Sequence, residues 1–268
     1  MKTIIAGTDF TPSSLNACKY AAMLAQKLNC KLIIFNLFQA PLLHSNSGLY
    51  GITYSSVKKI SKESAESVVK ELSILFPAIK ISAFSTSGTF EDELASFTER
   101  HRIEAVVMGL EAKTKVSKFI WGSHGVNVVG KINAPVVIVP EKYHTHKLET
   151  ILLAVDNADK LKTSSFKEIE KIVKTSQTYL KLLHVRTPDE LIAPKKIVQL
   201  SVNKMKQDVE LQKAKTIEDG IKWFCRDNNI DLVAVISRKH STFYNLFNES
   251  VTKRVTFSAK VPVIALHE

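Results

Sequence analysis

Cysteine and long apolar runs are scarce in this 268-residue sequence, and each scarcity excludes a class of protein. Cys18, Cys30 and Cys225 are odd in number and show no C-x-x-C spacing, so neither a disulfide framework nor a zinc site is predicted. No stretch approaches the roughly 18 apolar residues of a membrane span. The first ten residues hold too short an apolar run for a secretory signal peptide, and Asp9 interrupts it. We therefore expect a cytoplasmic protein without a membrane partner.

The sequence also lacks the motifs that mark common catalytic sites. It contains no G-x-x-x-x-G-K-[ST] loop, no G-x-S-x-G elbow and no H-E-x-x-H motif. His144 and His146 have H-x-H spacing, which alone is a weak signal, so no metal is predicted. A very slow reaction would still be compatible with the sequence, because positioning and charge stabilisation alone carry much of some group transfers. Without an evident base or metal carboxylate, we do not predict an enzyme.

The net charge of +11 raises the question of nucleic-acid binding. Residues 1–140 hold 15 Lys and Arg against 10 Asp and Glu, and residues 141–268 hold 22 against 16. Nucleic-acid modules usually concentrate positive charge on one face, beside aromatic side chains or a reading helix. Because the excess here is evenly spread and no such motif occurs, we expect no specific nucleic-acid partner. A weak attraction for acidic or phosphorylated ligands is all that the charge supports.

Strand and helix patterns alternate along the whole chain. A buried-looking strand over residues 3–8 is followed by Thr11 and Pro12, an N-cap and a first-turn proline, and then by apolar residues at helical spacing. Further strands are predicted at 31–37, 79–85 and 134–140, and further helices at 57–75 and 90–101. This alternation predicts a parallel sheet with helices on its faces.

The same plan is repeated in the second half of the chain. Residues 3–9 match residues 150–156 at an offset of 147, and beyond the middle the offset falls to 127, as in the match of Phe90 with Ile217. The second copy is therefore shorter, and the deletion lies after its second strand. Such a loss is typical of a shortened surface connection.

The repeat predicts two similar domains, residues 1–140 and 148–268, joined by a polar linker at 141–147. The last strands of the two copies, at 135–139 and 262–266, are short, apolar and terminal. Each leaves a sheet edge that pairing with its twin would cover. We expect the two domains to meet through these strands.

A glycine pattern in the first copy is the clearest candidate for chemistry. Gly109 follows Met108 at the end of a strand pattern, and Gly122-Ser123 opens a segment with helical character. A glycine at a strand end lets another molecule approach the backbone closely, and a helix N-terminus presents unpaired amides. An anion is the expected ligand. The full spacing is Gly109, two residues, Ala112, nine residues and Gly122-Ser123.

This pattern is similar to G-x2-G-x9-G-S, the signature of the nucleotide-binding branch of the universal stress protein family, with Ala112 in place of the second glycine. Asp9 after the first strand, the L-H-V strand end at 183–185, and the x-P-V strands at Pro135 and Pro262 also resemble the family. The resemblance covers nearly the whole chain. It implies an α/β fold of two tandem doubly wound domains, Rossmann-like and similar to the adenine nucleotide alpha hydrolases, each a five-stranded parallel sheet with helices on both faces.

The resemblance also implies a function. It predicts a stress-response regulatory protein that binds an adenine nucleotide, ATP or AMP, at the C-terminal ends of the strands of its N-terminal domain. In the family the residue at Asp9 lies near the adenosine, and the backbone at Leu37 meets the adenine. The predicted nucleotide-binding residues are Asp9, Leu37, Met108, Gly109, Ala112, Gly122 and Ser123. A homodimer or an intramolecular pseudo-dimer is expected from the family.

In the second copy the signature positions are occupied by Ile236, Lys239, Glu249 and Ser250. Three of the four residues are changed, and Glu249 would put a carboxylate where phosphate lies in a binding copy. Such a carboxylate is favoured at a helix start by the unpaired amides and the macrodipole. We therefore predict a degenerate second site with a structural role.

Each candidate also has a purely structural interpretation. Asp9 can cap the following turn or helix, and Gly109 and Gly122 can be turn glycines. The protein would then be a universal stress protein that binds no nucleotide and acts only through protein partners. A hydrolase or transferase of the wider adenine-nucleotide α/β group is a third hypothesis, and the missing catalytic signatures disfavour it.

Overall fold

The computed structural model describes most of the chain. The described residues are 2–39, 53–110, 132, 134–145, 147–155, 164–188, 200–202, 205–207, 209–237 and 260–267. Six residues of the predicted signature lie outside them, namely Ala112, Gly122, Ser123, Lys239, Glu249 and Ser250.

Strands and helices alternate as the sequence predicts. The described strands are β1 (Thr3–Thr8), β2 (Lys31–Phe38), β3 (Ile81–Ser87), β4 (Ile103–Leu110), β5 (Val136–Pro140), β6 (Thr150–Ala154), β7 (Tyr179–Arg186), β8 (Leu200–Val202), β9 (Met205–Gln207), β10 (Val209–Lys213), β11 (Leu232–Ser237) and β12 (Val263–His267). The described helices are α1 (Pro12–Lys27), α2 (Tyr54–Leu75), α3 (Phe90–Arg100), α4 (Ser164–Ser176) and α5 (Ile217–Asn228).

Ten of these strands form one sheet in the order β10-β7-β6-β11-β12-β5-β4-β1-β2-β3. The two halves of this order have the same winding, because β6, β7, β10, β11 and β12 repeat the places of β1, β2, β3, β4 and β5. All pairs within a half are parallel. The predicted doubly wound α/β fold is confirmed.

The two halves meet through β5 and β12, which pair in antiparallel fashion. Val137 faces Ile264 in this register, and Val136 faces Ala265, and all four side chains are buried. The predicted junction of the two terminal strands is therefore correct. Because the pair is antiparallel, the carboxyl ends of the strands point to opposite edges of the sheet in the two halves. The exact domain limits, 1–140 and 148–268, stay a prediction.

Helices cover both faces of the sheet. Apolar side chains of α1, α2 and α4 belong to one core that runs under both halves, and it includes Leu24, Leu72 and Ile169. On the opposite face, Leu94 of α3 and Ile221 of α5 belong to two separate cores. The halves are therefore joined by a shared hydrophobic core as well as by strand pairing.

The shortened connection of the second half is visible between β7 and β10. In the first half α2 occupies the corresponding connection, between β2 and β3. In the second half the part of this connection that the structure describes is a small antiparallel hairpin of β8 and β9. The linker is less polar than its sequence suggests, because Tyr143 within it is only 8% exposed.

Candidate functional site

The candidate site lies where the winding of the first-half sheet reverses. From β1 the chain proceeds to β2 on one side, and β4 is added later on the other side. Thr8 pairs with Asn36, and Ala6 pairs with Val107. Asp9, which directly follows Thr8, therefore lies at the same edge of the sheet as Leu37 and Gly109. Ligands of open α/β sheets bind at such a reversal, outside the carboxyl ends of the strands.

Asp9 is held by the turn that leads into α1. Its Oδ1 accepts hydrogen bonds from the backbone N–H of Thr11 at 3.1 Å and from the Thr11 hydroxyl at 2.7 Å. The Thr11 hydroxyl oxygen in turn accepts from the N–H of Ser14 at 3.3 Å, which caps the helix. Oδ1 of Asp9 thus caps the turn, as the structural interpretation of this residue predicted. The same bonds fix the direction of a half-buried carboxylate.

Phe10 connects Asp9 to this turn in a backbone conformation that L-residues rarely adopt. Its φ is +66°, in the left-handed region, which costs a non-glycine residue about 1 kcal/mol or more. The Phe10 N–H donates to the Thr8 hydroxyl at 3.0 Å, and the ring packs against the larger core. Strain of this kind is common where a chain must present a side chain at a functional site.

Gly109 is a glycine because α1 packs closely on β4. A Cβ at this position would lie 2.6 Å from the carbonyl oxygen of Ser13 and 2.7 Å from its hydroxyl oxygen. The sequence predicted that a ligand approaches this backbone, whereas the structure shows Ser13 of the first helical turn there. Packing alone therefore accounts for the glycine, and its contact with phosphate stays a prediction.

Met108 and Leu37 can offer a ligand little more than their backbones. The Met108 side chain is fully buried in the core beneath α3. Leu37 is half-buried and pairs with Thr86 of β3. The backbone contact to adenine that the resemblance implies for Leu37 is compatible with this placement.

A buried polar network behind the edge was missed by the sequence analysis. Asn36 donates through Nδ2 to the carbonyl of Thr8 at 2.7 Å, and its Oδ1 accepts from the hydroxyl of Ser61 in α2. All three residues are buried. Because these bonds join β1, β2 and α2, they hold the edge rigid. The one signal in the sequence is an asparagine inside the otherwise apolar strand β2.

The cysteine nearest the site is chemically inert. Burial raises the pKa of the Cys18 thiol to about 12, and the charge of Asp9 acts in the same direction, although a hydrogen bond with Thr8 opposes them. A thiol that stays protonated at neutral pH is a poor nucleophile. Cys30 and Cys225 are also free and buried.

Two negative findings apply to the described residues alone. They contain no group of three or more His, Cys, Asp or Glu side chains arranged to hold a metal ion. None of their helices is both long and apolar enough to cross a membrane.

Comparison with known proteins finds relatives that belong to one family. The profile of the Universal stress protein family matches residues 1–140. A universal stress protein of Methanocaldococcus jannaschii is 24% identical over 142 residues, which are 52% of this chain and 81% of that protein. The alignment is thus confined to about half of the present chain.

Two solved structures match almost the whole fold. A universal stress protein from Archaeoglobus fulgidus is 18% identical, with a TM-score of 0.73 over 99% of this chain and 96% of that one. A functionally unknown protein from Pseudomonas aeruginosa is 10% identical, with a TM-score of 0.55 over 99% and 92% of the two chains. At these identities the likeness concerns the fold. The family match over residues 1–140, the winding of the sheet and the tandem fold lead to one conclusion: this chain belongs to the universal stress protein family.

Proposed function

We propose that this protein acts in the stress response by binding an adenine nucleotide, ATP or AMP, within residues 1–140. The ligand would lie at the carboxyl edge of β1, β2 and β4. The observation that carries the proposal is the fixed, half-buried carboxylate of Asp9 at the point where the winding of the sheet reverses.

The chemistry of Asp9 fits the sugar end of a nucleotide. An ionised carboxylate accepts hydrogen bonds from hydroxyl groups, and such charge-assisted bonds are short and strong. Both hydrogen bonds from Thr11 are accepted by Oδ1 of Asp9. They fix the orientation of the carboxylate, while Oδ2 accepts neither of them. The ribose hydroxyls of adenosine are suitable donors for this carboxylate.

The second half supports a single site per chain. Ile236 occupies the position that corresponds to Gly109, and its side chain is buried in the core that both halves share. In the first half the space above Gly109 holds Ser13 of α1, so a branched side chain at this position means that helix and strand pack differently in the second half. The expectation that the second site is degenerate therefore agrees with the one signature position that the structure describes there. A homodimer stays a further prediction from the family.

The alternative is a universal stress protein that binds no nucleotide and works only through protein partners. It is favoured by the packing of Ser13 on Gly109, which explains the glycine at this position without any ligand. Under this hypothesis Asp9 does no more than fix the turn before α1.

Release of bound nucleotide separates the two hypotheses. The purified protein would be denatured by heat or acid, and the supernatant analysed by ion-exchange chromatography with detection at the adenine absorbance. We expect ATP or AMP in a ratio that does not exceed one per chain. Protein without nucleotide that also gains no thermal stability when ATP or AMP is added would favour the alternative.

A further inference from the structure

Strand β3 is one of the two outer strands of the ten-stranded sheet. It pairs with β2 on its inner side, where the N–H of Leu32 donates to the carbonyl of Lys80. In a parallel pair, the backbone groups of alternate residues point towards the neighbouring strand, and those of the residues between them point away from it. Because Lys80 points towards β2, the outward residues of β3 are Ile81, Ala83, Ser85 and Ser87.

The outward edge of β3 thus presents the N–H and carbonyl groups of these four residues. Within the described part of the chain, no backbone hydrogen bond reaches any of them. The side chains of Ser82 and Phe84 are exposed beside this edge. An edge with unpaired backbone groups is a template for pairing with another strand.

Strand β3 also lacks the features that keep an outer strand from pairing. Its seven residues include no charged side chain and no proline. The other outer strand, β10, has only five residues and carries Glu210 and Lys213. Short length and charged side chains both protect an edge. Of the two outer strands, β3 is therefore the one suited to pairing.

The β3 strand of a second copy fits this edge in one register better than in any other. In antiparallel pairing, outward residues must face outward residues. With a two-fold axis at Phe84, Ile81 faces Ser87 and Ala83 faces Ser85, so every outward residue of both strands is paired. Moving the axis by one residue in either direction leaves one outward residue of each strand without a partner.

This register puts an exposed aromatic ring opposite itself. Phe84 of the two copies forms a non-hydrogen-bonded pair, the kind in which opposite side chains are closest. Its ring contacts Phe35 and Phe97, with centroid distances of 5.4 and 4.8 Å, yet 38% of the residue stays exposed. Pairing would bury the exposed part of both rings, and aromatic cross-strand pairs stabilise sheets.

Charges at the two ends of β3 are complementary in the same register. The exposed Lys80 precedes β3 and comes opposite Gly88 of the second copy. Glu93 packs against Gly88, and it accepts a hydrogen bond from the Thr86 hydroxyl at 2.9 Å. Because side chains alternate between faces along a strand, Lys80 and Thr86 lie on the same face as Phe84. Each Lys80 is therefore brought near Glu93 of the other copy.

We propose that this protein forms a homodimer through antiparallel pairing of β3 with β3 of a second copy, with the two-fold axis at Phe84. The sheets of the two copies then form one continuous sheet. The homodimer expected from the family thereby gains a definite surface. It is distinct from the junction of β5 and β12, which lies within one chain.

Sedimentation velocity of the full chain tests the dimer. We expect a species with the mass of two chains in the micromolar range. Ser85→Pro should yield single chains, because proline removes an outward N–H and leaves the pairing with β2 intact. Leu211→Pro is the matched control on β10. The N–H of Ala214 donates to Arg186 of β7, so Leu211 also points outward, and its replacement should leave the dimer unchanged.

Oxidative cross-linking tests the register. Opposite residues of a non-hydrogen-bonded pair have Cα atoms about 4.5 Å apart, a separation that a disulfide can bridge. Phe84→Cys should therefore give a disulfide-linked dimer on a non-reducing gel after mild oxidation. Ser82→Cys is the control and should stay a single chain, because Ser82 faces Thr86 of the second copy. The three native cysteines are buried and should not contribute.

Three results would overturn the proposal. A single chain throughout the micromolar range would leave the β3 edge to a different partner. A dimer that persists in Ser85→Pro would be held by another surface, and cross-linking of Ser82→Cys as fast as Phe84→Cys would exclude the register. The unmodified protein tests the dimer even where a variant folds poorly, and no outcome depends on nucleotide binding.

Discussion

At the scale of single residues, Gly109 and Ser13 set how closely α1 lies on the sheet. The backbone of Ser13 occupies the space that a side chain at position 109 would need. The Ser13 hydroxyl is buried, and in the described part of the chain it has no hydrogen-bond partner. Any enlargement of Gly109 must therefore displace the first turn of the helix, and with it the turn that holds Asp9.

Gly109→Ala should destabilise the protein, because the new Cβ overlaps backbone atoms that cannot rotate away. Overpacking of this kind costs about 1–3 kcal/mol. Ser13→Ala is the matched control on the other side of the contact, and it should be close to neutral because the hydroxyl forms no bond to lose. Urea unfolding followed by circular dichroism measures both changes. A Gly109→Ala variant as stable as the parent would show that the contact is looser than described.

The buried thiol of Cys18 predicts a loss of stability in alkali. Burial raises the pKa of the thiol from 9.0 to about 12, so the unfolded chain loses this proton at a lower pH than the folded protein does. The protonated thiol therefore contributes its full share to the stability of the fold only below pH 9. As pH rises between these values, the thiol should reduce the free energy of unfolding by up to about 1.4 kcal/mol per pH unit. Urea unfolding of Cys18→Ala at several pH values should give a shallower decline than the parent protein. Parallel declines would refute this.

The site residue that could be predicted is recognisable from its place along the chain, whereas the contacts that were missed join residues far apart in the sequence. Asp9 could be predicted because the resemblance to the family implies a ligand-binding carboxylate directly after the first strand, at the edge where such sheets bind ligands. Ser13 could not be linked to Gly109, because their contact joins distant parts of the chain and leaves no spacing in the sequence. The burial of Tyr143 could not be predicted either. Its neighbours in the linker are polar, and the residues that cover it lie in distant parts of the chain.

At the scale of elements, two helix starts offer a comparison. Thr11 caps α1 and also donates to Asp9, whereas Thr216 caps α5 at a position far from the proposed nucleotide. Thr11→Ala and Thr216→Ala should each cost about 1 kcal/mol of stability through the lost cap. Only Thr11→Ala should also weaken ATP binding, because it frees the carboxylate of Asp9. Thermal unfolding and calorimetry would measure the two effects, and equal ATP affinities in both variants would contradict the role given to the turn.

Element boundaries depend on caps that the periodic pattern does not reveal. The apolar pattern predicted a second helix from position 57, but α2 begins at Tyr54. Thr53 accepts a hydrogen bond from the N–H of Ser56, and the Ser56 hydroxyl accepts one from the N–H of Thr53. This reciprocal cap starts the helix in a polar stretch, three residues before Val57.

At the scale of the whole molecule, the repeat in the sequence predicted both the fold and the strand junction. It could do so because the terminal strands are apolar on both faces and must be covered. The core that runs beneath both halves was not predictable, since it depends on how α1 and α4 lie relative to the shared sheet. We therefore expect the chain to unfold as one cooperative unit.

Val137→Asp tests the junction, because this side chain is fully buried opposite Ile264 of β12. An unpaired carboxylate in this core should cost about 3–5 kcal/mol. Leu211→Asp on the outer strand β10, where the side chain is 44% exposed, is the control and should cost about 0.5 kcal/mol or less. Urea unfolding of both variants would decide. Equal losses would mean that the junction strand adds nothing beyond an ordinary surface strand.

Titration calorimetry of the full chain with ATP tests the central proposal most directly. Asp9→Asn keeps an oxygen acceptor for both bonds from Thr11 and removes only the charge, and Asp156→Asn makes the same change at the matching position of the second half. We predict one ATP per chain, an affinity about tenfold lower in Asp9→Asn and an unchanged affinity in Asp156→Asn. Two sites per chain, dependence on Asp156 instead of Asp9, or no binding by the parent protein would contradict the account.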